Sequence, residues 1–86
     1  MKQYLILARS ITYAQRMQRT LSQTGIRADV FRAPMELTGG RGCAYAVQIG
    51  ASHLPGALRA INGAGLGPVQ VYVTDPNQDG YQEVIL

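Results

Sequence analysis

Cysteine and histidine are nearly absent from this chain of 86 residues, which holds one of each. A lone thiol cannot close an internal disulfide. One thiol and one imidazole also fall short of the four ligands that a structural zinc site needs. Disulfide scaffolds and zinc fingers are therefore excluded as fold classes.

Long apolar runs are missing as well. No stretch approaches the roughly 18 residues of a membrane span, and the run that follows Lys2 is cut off by Arg9 before it could serve as a signal peptide. Hydrophobic residues make up 47% of the chain and charged residues 15%, a composition typical of a globular protein. We expect one cytoplasmic domain over residues 1–74, with a turn and a tail or edge strand over residues 75–86.

Charge is distributed unevenly along the chain. All eight Lys and Arg residues lie in residues 1–59 against two acids, a net charge of +6, whereas residues 60–86 hold three acids and no base, a net charge of −3. This asymmetry favours anionic partners, and Arg16 and Arg19 form a candidate docking face. No basic residues are adjacent, so we do not expect nucleic acid as the partner.

Apolar periodicity predicts an alternation of strands and helices. Residues 3–8 form a strand, and Ser10 caps an amphipathic helix that ends at Gly25. Residues 26–32 and 43–49 form a hairpin around a loop. Ser52 caps the second helix, and a strand follows over residues 69–73.

The order β-α-β-β-α-β predicts the ferredoxin-like split βαβ fold of the α+β class. Right-handed crossovers then give an antiparallel sheet in the order 4-1-3-2, with both helices on one face and room for a short extra strand at the C-terminus. In this topology Cys43 lies at the rim where the first helix begins, and His53 lies at the opposite rim.

Cys43 is the candidate reactive residue. The thiolate is the nucleophilic form, and three features favour it: the helix N-terminus at Ser10, the positive charges of Arg41 and Arg9, and backbone N–H groups around Gly42. We expect these groups to lower the pKa of the Cys43 thiol. The alternative is a buried strand cysteine that acts as a small hydrophobe.

Other candidate sites have structural explanations. The Gly63 to Gly67 stretch follows a helix and precedes a strand, the reverse of a dinucleotide loop, so it predicts a helix stop. Tyr4, Tyr45 and Tyr72 would form an aromatic platform for RNA if they shared the uncovered face of the sheet. Tyrosines that fill a half-exposed sheet are the alternative.

The chain resembles a family of small bacterial proteins called selenium/sulfur carrier-like. The resemblance covers most of the chain, and its most specific element is the cysteine between small residues, although Ala44 stands where members often have glycine. It is carried by the opening strand, Ser10, Ala14, Leu21, Gly25, Ile26, Pro34, Leu37, the run Gly42-Cys43-Ala44-Tyr45-Ala46-Val47, Tyr72, and Asp79-Gly80-Tyr81.

This resemblance implies a carrier rather than a self-sufficient enzyme. Sulfane sulfur or selenium would be held on Cys43 as a persulfide or selenosulfide, with no separate cofactor or metal. The partners would be a cysteine desulfurase-like donor and an acceptor enzyme.

The residues leave other functions open. A small interaction or regulatory module that binds a protein or metabolite, in some cases as a homodimer, would share this fold. A weak RNA binder and a metal carrier are further alternatives, although one soft ligand seldom holds a metal alone.

Overall fold

The computed structural model describes residues 3–38, 45–67, 69–74 and 80–84. Cys43, Arg41 and Gly42 lie outside these ranges. The elements in chain order are β1 (Gln3–Ala8), α1 (Ile11–Gln23), β2 (Asp29–Arg32), α2 (Met35–Thr38), β3 (Tyr45–Gly50), a 3-10 turn (Ala51–His53), α3 (Leu54–Gly63), β4 (Val71–Thr74) and β5 (Gln82–Val84).

The five strands form one sheet in the order β2-β3-β1-β4-β5, and every neighbouring pair is antiparallel. Read from the other edge, the first four strands have the predicted order 4-1-3-2, and β5 is the short extra strand. The predicted α+β class is confirmed. β1 lies at the centre because the first crossover places β2 two positions away, which leaves the adjacent position for β3, and the second crossover places β4 on the other edge of β1.

One face of the sheet packs against α1 and α3. Successive side chains of a strand point to opposite faces, and every second residue of β1 and β3, together with Val71 of β4, enters this core. Its helical contribution comes from residues spaced three or four apart. The largest fully buried members are Ile6, Val47, Ile49 and Val71 of the sheet, Met17 and Leu21 of α1, and Ile61 of α3.

The two ends of α1 are fixed by the predicted residues. Ser10 has extended backbone, and its side chain accepts a hydrogen bond from the N–H of Tyr13 at 3.2 Å. At the other end Gly25 adopts φ +81°, a left-handed conformation that favours glycine. The N–H of Ile26 then donates to the carbonyl of Leu21 at 2.9 Å and closes the helix.

Strand β2 begins at Asp29, three residues later than predicted. The preceding residues bond to α1 instead of to the sheet. The N–H of Ile26 closes α1, and the carbonyl of Ala28 accepts from Gln18 Nε2 at 2.8 Å. Likewise β4 begins at Val71 rather than at residue 69, and the described part of β3 begins at Tyr45.

The predicted cap of the second helix is wrong. Ser52 lies within the 3-10 turn, and α3 begins after His53, which makes no side-chain capping bond. Pro55 is in the first turn of α3, where its missing N–H would have had no partner in the helix. The loop predicted after Pro34 instead contains the short helix α2.

The sheet face opposite α1 and α3 carries a second apolar cluster. Leu5, Ala33 and Ala46 are buried there, and the half-buried residues packed against them are Leu7, Phe31, Leu37, Tyr72 and Tyr81. The aromatic platform considered from the sequence is not formed, because Tyr4 and Tyr45 pack against the helix-side core. Strand alternation places only Tyr72 with Leu5 on the opposite face.

Replacing Leu21 with alanine tests the helix-side core. This side chain is fully buried, and truncation of a buried leucine removes apolar contacts and leaves a cavity. We expect the free energy of unfolding in urea to fall by about 2 to 5 kcal/mol. Gln23→Ala, at an exposed position of the same helix, is the control and should change it by less than about 0.5 kcal/mol. Equal effects from the two variants would contradict this packing.

Replacing Ser10 with alanine tests the N-cap of α1. Loss of the bond to the Tyr13 N–H should lower the free energy of unfolding by about 1 kcal/mol. Ser22→Ala is the matched control: Ser22 is exposed inside the same helix, where alanine has the higher helix propensity, so the change should be slightly stabilising. The cap assignment fails if Ser10→Ala is neutral or stabilising.

Candidate functional site

The end of β1 and the start of β3 meet at one rim of the sheet. Ala8, the last residue of β1, pairs with Tyr45, and Tyr45 also pairs with Arg32, the last residue of β2. Arg9 and Ser10 follow directly and lead into α1. We call these five residues, Ala8, Arg9, Ser10, Arg32 and Tyr45, the β1-end rim.

Arg9 adds positive charge to the β1-end rim. Its guanidinium carbon lies 4.6 Å from the centre of the Tyr13 ring, within the range of a cation–π contact. Arg9 is exposed, and Tyr13 is half-buried in the first turn of α1. The contact therefore keeps the guanidinium beside the N-terminus of this helix, whose backbone N–H groups also carry partial positive charge.

Arg32 is a rim residue that the sequence analysis did not single out. It is exposed, and it reaches the rim because the last residue of β2 pairs with the first described residue of β3. The signal was present in the predicted hairpin, since antiparallel strands bring the end of one beside the start of the next. Arg32 was overlooked because its pairing register was not worked out.

The acidic side chains that the structure describes lie away from this rim. Asp29 begins β2 and pairs with Gln48, three residues along β3 from Tyr45, and Glu83 of β5 pairs with Tyr72. Three strand residues span about 10 Å. The described charges at the β1-end rim are thus those of Arg9 and Arg32, both positive.

The predicted site residues divide into two groups. Arg9 and Ser10 are described, and the structure brings both to the β1-end rim, where Ser10 is engaged as the cap of α1. Cys43, Arg41 and Gly42 lie outside the described residues, so their roles stay predictions.

His53 lies at the other end of the sheet. It is exposed and follows Gly50, which pairs with Gln3 at the start of β1. The six residues of β1 separate that end from Ala8 by about 17 Å. The opposite-rim position predicted for His53 is confirmed. Across the described ranges, no three His, Cys, Asp or Glu side chains form a group that could hold a metal ion.

A second surface feature is a shallow groove between α1, from Gln15 to its C-terminal end, and the segment that leads into β2. The volume of this open groove is about 1000 Å³. We call it the α1 groove. Its lining residues are Gln15, Gln18, Arg19, Ser22, Gln23, Gly25, Ile26, Arg27 and Ala28.

The predicted helix stop after α3 is confirmed. The helix ends at Gly63, Gly65 adopts φ +73°, and the N–H of Leu66 donates to the carbonyl of Ile61 at 3.0 Å. This is the same closure that ends α1. Over the residues described, no helix has the length and apolar character to cross a membrane.

Comparison with known proteins identifies the family of this chain. A search of curated proteins gives no match. One family model, described as "Putative Se/S carrier protein-like", matches residues 3–73. The match runs from the first residue of β1 into β4 and includes Cys43. Because it covers most of the chain, the protein belongs to this Se/S carrier protein-like family.

Proposed function

We propose that this protein carries sulfane sulfur or selenium on Cys43. In the sulfur case the Cys43 thiolate attacks the terminal sulfur of a donor persulfide. A new S–S bond forms on Cys43, the donor's S–S bond breaks, and the donor leaves as a thiolate. The reaction exchanges one persulfide for another, so it needs no added oxidant or reductant. Delivery to an acceptor thiol is the same exchange in reverse.

The family match is the observation that carries the proposal. The matched region, residues 3–73, contains the chain's one cysteine, and a thiolate is the group able to accept a sulfane sulfur. A carrier of this kind needs no acid–base set of its own, because its donor and acceptor enzymes provide it. We therefore propose a cysteine desulfurase-like donor and a separate acceptor enzyme as partners, in the cytoplasm.

Chain connectivity links Cys43 to the β1-end rim. Two residues of chain lead from Cys43 to Tyr45, and consecutive Cα atoms are 3.8 Å apart, so the two Cα atoms lie within about 7.6 Å of each other. Tyr45 pairs with both Ala8 and Arg32. We therefore expect the Cys43 thiol to experience the field of Arg9 and Arg32.

That field favours the reactive form of the cysteine. A unit charge about 8 Å away across water is worth about 0.5 kcal/mol, and two charges of the same sign act together. Both guanidinium groups stabilise a thiolate relative to a thiol, so we expect them to lower the pKa of Cys43. Arg41, two residues before the cysteine, would act in the same direction.

Loading with a sulfur donor tests the carrier function. The reduced protein is incubated with a cysteine desulfurase and cysteine and weighed intact without a reductant. We expect a gain of one sulfur atom that dithiothreitol removes, and no gain in Cys43→Ser. A parallel incubation with selenocysteine and a selenocysteine lyase compares the two cargoes. The proposal fails if an established carrier is loaded under these conditions and this protein gains neither atom.

The charge of the β1-end rim is tested by alkylation of Cys43 against pH. In Arg32→Gln and in Arg9→Gln we expect the midpoint of the rate profile to move up by roughly 0.3 to 0.5 pH units, since each loses a stabilising positive charge. Arg27→Gln is the matched control. Arg27 is exposed and lies two residues before the start of β2, whereas Arg32 is at its end; the three strand steps from Asp29 to Arg32 alone span about 10 Å. Equal shifts in all three variants would contradict a local effect of the rim.

A further inference from the structure

The α1 groove has the charge of a site for an anionic partner. Arg19 and Arg27 stand on its two walls, one on α1 and the other on the segment that leads into β2, and the lining contains no acidic residue. Sequence reasoning paired Arg19 with Arg16 on one helix. The structure instead groups Arg19 with Arg27, and Arg16 is not part of the lining.

The two arginines are open to an external partner. Both are exposed, and neither guanidinium has an ion pair or hydrogen bond with any part of the chain that the structure describes. Two carbonyls at the C-terminal end of α1 are already engaged, because that of Leu21 accepts from Thr24 and Ile26 and that of Ser22 accepts from Gly25. The two guanidinium groups carry two full positive charges, which outweigh the partial negative charge, roughly half a unit, at the C-terminus of a helix.

The lining also suits an extended main chain. Gln15, Ser22 and Gln23 are exposed side chains able to donate and accept hydrogen bonds. The backbone N–H and C=O of Arg27 make no hydrogen bond with the described residues. The floor between the walls is held by the bond from Gln18 Nε2 to the Ala28 carbonyl, 2.8 Å long. The peptide groups of an extended segment could therefore hydrogen-bond both to the Arg27 backbone and to the polar side chains of the lining.

We propose that the α1 groove binds an acidic, extended segment of a partner protein. Carboxylates of the segment pair with Arg19 and Arg27, and the glutamine side chains and the Arg27 backbone meet its peptide groups. A small metabolite fits poorly, because sites for such ligands bury most of the ligand surface and this lining is mostly exposed. RNA fits poorly because the lining has no aromatic side chain on which a base could stack.

The inference is independent of the chemistry proposed for Cys43, since no groove residue belongs to the β1-end rim. It is therefore tested in the Cys43→Ser protein, where loss of sulfur transfer cannot affect the outcome. The probe is a fluorescent ten-residue peptide of alternating glutamate and glycine, and its affinity is measured by anisotropy at low salt. The same peptide with glutamine in place of glutamate is the uncharged control.

Three charge reversals distinguish the groove from general attraction. We expect Arg19→Glu and Arg27→Glu each to weaken binding of the acidic peptide at least tenfold. Arg59→Glu makes the same change in net charge at an exposed residue of α3 outside the groove, and it should weaken binding less than twofold. If Arg19→Glu does not fold by circular dichroism, Arg19→Gln replaces it with an expected loss of about threefold.

Amide chemical shifts locate the bound peptide. We expect the changes to concentrate in residues 15–28. Several results would overturn the proposal: equal weakening by all three reversals, equal binding of the uncharged peptide, no binding at low salt, or shifts centred on other surfaces. Tighter binding of a uridine decamer that is lost with the same two groove reversals would show a nucleic-acid surface instead and would equally overturn it.

Discussion

The pairing of β1 on both of its edges is the constraint on which the rest of the structure depends. β1 is hydrogen-bonded to β3 along its whole length and to β4 over four residues, and its Leu5 and Ile6 are buried on opposite faces. A slip of one residue would exchange these faces and expose the core. The same register places Tyr45 beside Ala8, and with it Arg32 beside the start of α1.

Much of this architecture is encoded locally and could be predicted. The stripe of Ala14, Met17 and Leu21 predicts α1, and Ser10 and Gly25 predict its ends, because capping depends on neighbouring residues alone. The sheet order follows from the handedness of the crossovers. Element starts were less predictable where a tertiary contact decided them. For example, the hydrogen bond from Gln18 to the Ala28 carbonyl joins residues ten positions apart. It holds Ala28 against α1, so β2 begins only at Asp29.

The site shows the same division between local and tertiary information. Arg9 and Ser10 could be assigned to the rim because they join the first strand to the first helix. Arg32 required the register of β2 on β3, and the grouping of Arg19 with Arg27 required the packing of α1 against the segment before β2. The sequence left the face of the tyrosines open. Tyr4 and Tyr45 face the helices because their strand parity matches that of Ile6 and Val47, so the platform considered as one alternative does not form.

The two proposed surfaces lie at different positions along α1, the β1-end rim at its N-terminus and the α1 groove from Gln15 onward. The helix rises about 1.5 Å per residue, so along its axis the cap at Ser10 is about 8 Å from Gln15, where the groove lining begins, and about 14 Å from Arg19. A partner whose acidic segment occupies the α1 groove would leave the β1-end rim uncovered. If both proposals hold, docking and sulfur exchange would occur together on one molecule, with affinity supplied by the groove and exchange at Cys43. Binding of the acidic segment in the α1 groove would raise the local concentration of the partner's reactive group near Cys43 without covering the β1-end rim.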